Sequence, residues 1–500
     1  MLFRMFKLIS IFLFLVTLCT FCKPDTPPET RGDSITIKSD KITQHYLGNG
    51  VQWGGYDILE PWTGNPTLSD EDWNTLFQRV QFMRPPLVRI MVSSGWNYMV
   101  NNQYNPAKSE PVLIKILDFC QQQDISVILG EWGHTGGTAI DQTWLNNSAS
   151  FLQWLLETKG YTCIKYFTMV NEPNGSWSSI NGNYTLWKQL VEAFHSKLVD
   201  KGIASRIKML GPDIAIWNSS QTHWISEARF DIGTILGAYD IHTYPTETDT
   251  RDGSYQTMIE TYRKLGPASH PMIMGEFGFK YASGSELGNK NAQRIANDPY
   301  ASDDSNMMIY DAFYGVDVAD AIMQNMLGGY AGLILWNLDD AMYNIDGYTS
   351  TRLKRWGFWN ILGAEKFGNA TDENIRPWFY PTSLLCRYFP AGTEIFSIEL
   401  PSKKGLRAIA GHKDGKYTIA IVNSNHVSYS VSLAFEEGIM LSPMKAYKYT
   451  AGAETEFTAT TDQHGFAAPY QTDLSLDFTN GQSVSLSLQA QSFWLYTNMD

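Results

Sequence analysis

Two carboxylates stand where apolar runs meet turn residues: Val170-Asn171-Glu172-Pro173 closes one such run and Gly275-Glu276-Phe277-Gly278 closes another. Either glutamate alone reads as a solvated loop residue. Brought to one mouth, the pair can do what neither does singly. One carboxyl, protonated, assists a leaving oxygen, while the other, ionised, attacks an electrophilic carbon such as the anomeric carbon of a sugar. Closeness itself separates their proton affinities, because two adjacent carboxylates resist being charged together. Once the attacking carboxylate has formed its bond its charge is gone, and the partner can turn from acid to base. Other chemistries lack their residues. There is no His-Glu-x-x-His, no Walker loop and no Gly-x-Ser-x-Gly elbow, and no cysteine pair at zinc spacing occurs beyond the N-terminal segment. No metal and no organic cofactor is expected.

The elements that must position the pair alternate. Short strands of Val, Ile, Leu and Met are read at Val51–Gly54, Leu87–Val92, Ser126–Gly130, Tyr166–Val170, Lys208–Gly211, Tyr239–His242, Met272–Gly275 and Gly332–Trp336. Helical patterns intervene, in stretches such as Asp70–Arg84, Val112–Gln123, Gln142–Thr158, Tyr184–Lys201, Tyr255–Leu265 and Met307–Leu327. Ser69 with Asp72 forms a capping box for the first helix, and Gly160 and Gly202 sit where C-caps belong. Near-continuous apolar strands suit a parallel sheet buried on both faces. Eight strand–helix units predict an α/β fold of the TIM (β/α)8 barrel type over residues 45–389. A doubly wound sheet is the alternative, weakened by the lack of a Gly-rich phosphate loop after the first strand. Active residues of a barrel lie at the C-terminal strand ends, where both glutamates fall. After Pro390 the texture changes to strands and turns without a long helix pattern, which predicts an all-β sandwich domain over 390–500. The alternating Ile35-Thr36-Ile37 lies well ahead of the first barrel strand, so residues 34–44 are expected to cover an open edge of that sandwich. The polar segment Lys280–Asn306 reads as a long functional loop, a lid or subsite wall.

Composition bounds the class. Among 500 residues, 43% are hydrophobic and 18% charged, enough to bury a large core, which excludes a disordered or fibrous chain. A net charge of −13 argues against nucleic-acid binding as the main activity. Arg4 and Lys7 precede the apolar run Leu8–Leu18, too short for a comfortable membrane span, and Cys22 comes soon after. Residues 1–22 are therefore expected to be a lipoprotein-type signal peptide with Cys22 lipidated, and 23–33 a tether. That predicts an exported protein at the cell surface or outer membrane, or in the periplasm, of a bacterium. Cys120, Cys163 and Cys386 lie in apolar segments and are expected to be buried free thiols. A monomer is expected.

At this point a resemblance carries further. Asn171-Glu172-Pro173 on the fourth strand with Glu276 on the seventh resembles the retaining glycoside hydrolases of clan A, the cellulase-like superfamily similar to families 5, 30 and 39. Arg89 on the second strand, His242 and Tyr244 at the sixth and Trp336 at the eighth match in order, so the resemblance covers roughly residues 45–390. It implies that Glu172 is the acid/base and Glu276 the nucleophile. It also implies that Arg89 braces Glu276, Tyr244 bonds it, Asn171 bonds a sugar 2-hydroxyl and Trp336 floors the subsite of the cleaved sugar. His242 is taken with them as substrate-binding. The third strand departs from the pattern, ending Gly130-Glu131-Trp132-Gly133-His134. Glu131 reads either as a carboxylate for sugar hydroxyls or as an ion-pair partner of Arg89. Trp53, Trp96, Trp132 and Trp177 are candidate sugar platforms or core. The implied substrate is a β-linked glycan, with an endo-glycanase favoured. An exo-acting β-glycosidase and a catalytically silent carbohydrate-binding lipoprotein are the alternatives.

Overall fold

A computed structural model of the chain describes residues 33–43, 46–56, 68–133, 139–343 and 352–500. The signal segment, Cys22 and nearly all of the tether lie outside them.

Eight parallel strands close into a barrel in chain order: Gly48–Gln52, Leu87–Val92, Ser126–Glu131, Ile164–Thr168, Lys208–Ile216, Leu236–Thr243, Met272–Phe277 and Gly332–Leu335. The sixth and seventh strands pair, and so do the eighth and first, so the ring has no free edge. Its floor is a ring of inward side chains, Leu87, Ile128, Tyr166, Leu210, Ala238, Ile273 and Ile334, at most 5% exposed. The first strand contributes Gly50 here, where a Cβ would strike the Leu87 carbonyl. Outward side chains of the same strands pack under the helices in a much larger core. The expected capping box of helix Asp70–Met83 is present, with Ser69 and Asp72 bonded reciprocally. Cys120, Cys163 and Cys386 are free and buried.

The C-terminal strands form one curled, ten-stranded mixed sheet with its own core. Ser34–Thr43 belongs to that sheet. It runs antiparallel to Glu394–Glu399 on one side and parallel to Tyr429–Phe435 on the other, with Ile35 and Ile37 fully buried.

Helix Ala312–Leu327 joins the two parts and is buried almost along its whole length. Its acidic residues are compensated. Asp317 takes two bonds from Arg251, and Asp320 accepts the Ser424 hydroxyl at 2.6 Å, with Arg407 at 3.5 Å. The Tyr449 hydroxyl donates to the Ala312 carbonyl, Tyr388 and Tyr447 share a hydrogen bond, and Phe82 stacks on Phe466.

Segment Lys280–Asn306 departs from the expected loop. Glu286–Asn297 is a helix capped by Ser285, and Lys290 and Arg294 both bond Asp311. Its polar composition masked the helical pattern, because this helix is held by ion pairs to Asp311 and buries no residue completely.

Candidate active site

Strand pleat decides which side chains enter the barrel mouth, since alternate residues face opposite sides. From Leu87, Arg89 points inward. It is wholly buried, and its guanidinium is the hub of the site. Nη1 donates to Gln52 and to Glu276 Oε2, both at 3.1 Å, while Nη2 donates to Asn171 Oδ1 at 2.8 Å and to Asp213 Oδ2 at 2.9 Å. The Asn171 amide is thereby fixed with its N–H2 turned away from Arg89.

Glu276 reaches this hub through a bulge. From Ile273, strict alternation would turn Glu276 outward. However, Met274 pairs with Ile241 and Glu276 with His242, so Gly275 is an extra residue that reverses the parity. Phe277 then faces out and packs with Tyr255, while Glu276 faces in. Its Oε1 accepts the Tyr244 hydroxyl at 2.5 Å. Tyr244 is braced edge-on by Trp356, with the Lys280 ammonium 5.0 Å from its ring. Burial, together with the Glu172 charge, pushes the Glu276 carboxyl above its usual range, against His242, Arg89 and the Tyr244 hydrogen bond.

Glu172, just beyond the fourth strand, has a positive φ of 46°, an unusual conformation for a non-glycine residue. Its Oε1 meets His242 Nδ1 at 3.0 Å, and its Oε2 accepts the Trp177 indole N–H at 2.8 Å. One carboxylate oxygen of Glu172, one of Glu276 and a ring nitrogen of His242 lie within 4.8 Å of one another. Carboxylate oxygens that approach this closely leave no room between them for an intervening water, as two carboxyls ~6.5–9.5 Å apart would.

His242, expected to touch sugar, is fully buried with both nitrogens engaged, Nδ1 on Glu172 and Nε2 on Asp213 at 3.1 Å. Burial opposes its charge, yet Asp213, Glu276 and the Glu172 bond prevail and push it up to about 10. Sequence reasoning missed Asp213. It is the extra residue of a second bulge, between Pro212 opposite Asp240 and Ile214 opposite Ile241. The signal was an acidic residue just past the end assigned to the fifth strand.

Two candidates are corrected. Glu131 neither faces the mouth nor pairs with Arg89. With Ile128 facing inward, Gly130 and Trp132 share its side and Glu131 points out, where it accepts Tyr98 and Ser148 hydroxyls and is fully buried. Burial pushes it up to about 7 despite those bonds. Trp53 is likewise outward and unexposed, edge-on to Phe77 and Phe119 under the helices. It is core.

The remaining aromatics divide by place. Trp336, nearly buried, stacks on Tyr343 and meets Trp132 edge-on. Tyr343 was not anticipated. Gly54 and Gly55, both at positive φ, leave space for it, and a Cβ on Gly55 would lie 2.2 Å from its ring. Trp177 is 62% exposed at the rim beside Trp217, which is 54% exposed, with ring centroids 5.5 Å apart. Trp96 packs partly buried against the barrel's outer core.

The carboxylates and imidazole could in principle ligate a cation. Their atoms are already committed, since Arg89 neutralises Asp213 and Glu276, and both His242 nitrogens carry hydrogen bonds.

No family model and no curated protein matches the sequence. Solved structures do. A family GH30 endoxylanase from Clostridium papyrosolvens superposes with a TM-score of 0.59 at 14% identity, over 93% of this chain and 99% of that one. An α-L-arabinofuranosidase from Thermotoga maritima gives 0.62 at 14%, over 93% and 99%. An endo-β1,6-glucanase gives 0.57 at 15%, over 95% and 94%. The likeness shows the fold. It spans both the barrel and the C-terminal sheet.

Proposed function

We propose that this protein is a retaining glycoside hydrolase acting on β-linked glycans, with Glu276 the nucleophile and Glu172 the acid/base. The observation that carries the reading is the approach of the two carboxyls to within 4.8 Å in a mouth where their neighbours differ. Glu276 faces a permanent cation, Arg89, and a hydroxyl donor, Tyr244, both of which favour charge on it. Glu172 faces an imidazole that can give up its Nδ1 proton. In the first step Glu276 bonds the anomeric carbon as Glu172 passes a proton to the departing oxygen. In the second, water gives its proton to Glu172, attacks the same carbon and releases Glu276. The solved neighbours, among them a xylanase and a glucanase, support glycan hydrolysis as the reaction class.

The exposed Trp177–Trp217 pair adjoins Glu172, the residue assigned to protonate the leaving group. A flat, partly apolar sugar face stacks on such indoles, so the pair favours a substrate with sugar on both sides of the cut, hence endo action. Export with Cys22 lipidated is proposed alongside. Terminal mass analysis of mature protein tests it, and a mature chain beginning elsewhere would sink it.

The test of the roles is kinetic. Glu172→Ala should slow natural glycosides about 10²–10⁴-fold yet still form the glycosyl-enzyme from a dinitrophenyl glycoside, giving a burst, with azide restoring turnover as a β-glycosyl azide. Glu276→Ala should lose turnover of both substrates, because no intermediate can form. A burst from Glu276→Ala instead reverses the roles. Unaltered rates in both variants place the chemistry elsewhere. A panel including aryl β-glycosides and an aryl α-L-arabinofuranoside identifies the sugar.

A further inference from the structure

Asp213 lies beneath the site, touches no open space and is bonded on every side. Its carboxylate accepts from Arg89 Nη2 at 2.9 and 3.2 Å and meets His242 Nε2 at 3.1 Å. Its main-chain N–H donates to Asp240 Oδ1 at 2.8 Å, and its carbonyl accepts the Glu172 N–H at 3.0 Å. Asp213 and Glu172 both hold positive φ, 57° and 46°, so each is kept in an unfavourable backbone conformation and the two are tied together there. Nothing in the two-step mechanism uses Asp213 directly.

We propose that Asp213 is the positioning residue of the acid/base: its carbonyl fixes the Glu172 backbone, and its carboxylate fixes His242, and through it the proton shared between His242 Nδ1 and Glu172 Oε1. This rests on Glu172 being the acid/base. The titratable and charged groups facing His242 and Asp213 come from four further places: Arg89 on the second strand, Glu172 after the fourth, Asp240 on the sixth and Glu276 on the seventh. Of the two buried aspartates, Asp213 keeps its charge, because Arg89 and His242 outweigh burial and hold it well below the usual range. Burial and the Asp213 charge push Asp240 well above that range. A negative charge at Nε2 retains the proton on the far side of the ring. Without it, His242 loses that proton at lower pH.

Asp213→Asn keeps the shape and removes the charge that meets Arg89 and His242, and Asp240→Asn makes the same exchange at a neighbour whose carboxylate accepts the Asp213 main-chain N–H instead. With Asp213→Asn the alkaline limb of kcat/KM for a poor leaving group should move acidward by about 1–3 pH units. Burst formation from a dinitrophenyl glycoside, which needs no acid, should stay within about 3-fold of wild type. Asp240→Asn should leave the limb in place. An unmoved limb in Asp213→Asn, or an equal move in both variants, overturns the proposal. Equal slowing of good and poor leaving groups overturns it too, since that is what plain structural damage would do. If Asp213→Asn does not fold, imidazole nitrogen shifts of the wild type decide. Both His242 nitrogens protonated at neutral pH supports the proposal, and a neutral ring there overturns it. If Glu172→Ala fails the azide test, the functional reading falls first, and the two failures are told apart.

Discussion

Trp53 and Trp177 are the same side chain in opposite circumstances, and exchange for alanine should separate them. Trp53 is enclosed by Phe77 and Phe119, so Trp53→Ala opens a cavity and should cost about 3–5 kcal/mol of stability, read from denaturant midpoints. Trp177 is mostly in solvent, and Trp177→Ala should change stability by less than about 0.5 kcal/mol. The same variant removes a hydrogen bond to Glu172 and one of the two exposed indoles. Its kcat/KM for oligosaccharides should fall about 10-fold, equivalent to ~1.4 kcal/mol, with a smaller loss for a monosaccharide aryl glycoside. A large Tm change in Trp177→Ala, or none in Trp53→Ala, would contradict the placement.

Strand pleat and its interruptions govern the next scale. Glu131 shows the cost of an acidic residue on the outward face of a strand: a carboxyl raised from about 4.5 to about 7 by burial between Tyr98 and Ser148. The folded state therefore holds this proton more tightly than the unfolded chain. The group's contribution is complete below pH 4.5 and is lost as pH rises through 7, up to ~3 kcal/mol. Asp317 and Asp339, raised to about 6 and about 7 by burial, act in the same direction. Wild-type stability should decline between pH 5 and pH 8, and Glu131→Gln should give a flatter decline whatever its absolute level. Denaturation at both pH values reads the slope, and equal slopes would show that Glu131 ionises freely. The turn after the first strand makes a second case. Gly55→Ala drives a Cβ into Tyr343, which stacks on Trp336, so kcat/KM should drop about 10-fold, or ~1.4 kcal/mol. Gly160→Ala, at a similar φ but with open space around it, should cost only ~1–2 kcal/mol of stability and leave activity intact.

For the whole molecule, the C-terminal sheet is bonded into the barrel's own helix layer. Asp320, buried on Ala312–Leu327, depends on Ser424 and Arg407 from the sheet, and Tyr449 reaches the first turn of that helix. The sheet in turn depends on the chain's beginning, since Ser34–Thr43 lies between strands that do not pair with each other. A chain starting at residue 44 should leave two unpaired edges and bare the core side of Ile35 and Ile37, so calorimetry should find it aggregated or melting well below the full chain. A truncated chain with unchanged Tm would mean that the strand is dispensable. The intact protein should unfold in one transition.

Periodicity and strand-end chemistry were enough to read eight parallel strands, the change of texture near Pro390 and the pairing of Glu172 with Glu276. Those features are local: a buried parallel strand needs a continuous apolar run, and a turn residue marks its mouth. Which way a side chain points after a bulge is not local. Gly275 and Asp213 each add a residue against the neighbouring strand, and the added residue reverses inside and outside for the side chains beyond it. For that reason Asp213 was missed, while Glu131, on a strand without a bulge at its end, was wrongly drawn toward the mouth. The helix in Glu286–Asn297 was hidden for a different reason, since its anchor Asp311 lies beyond its own segment. Sequence determined the residues able to do the chemistry, and the register between strands decided which of them meet.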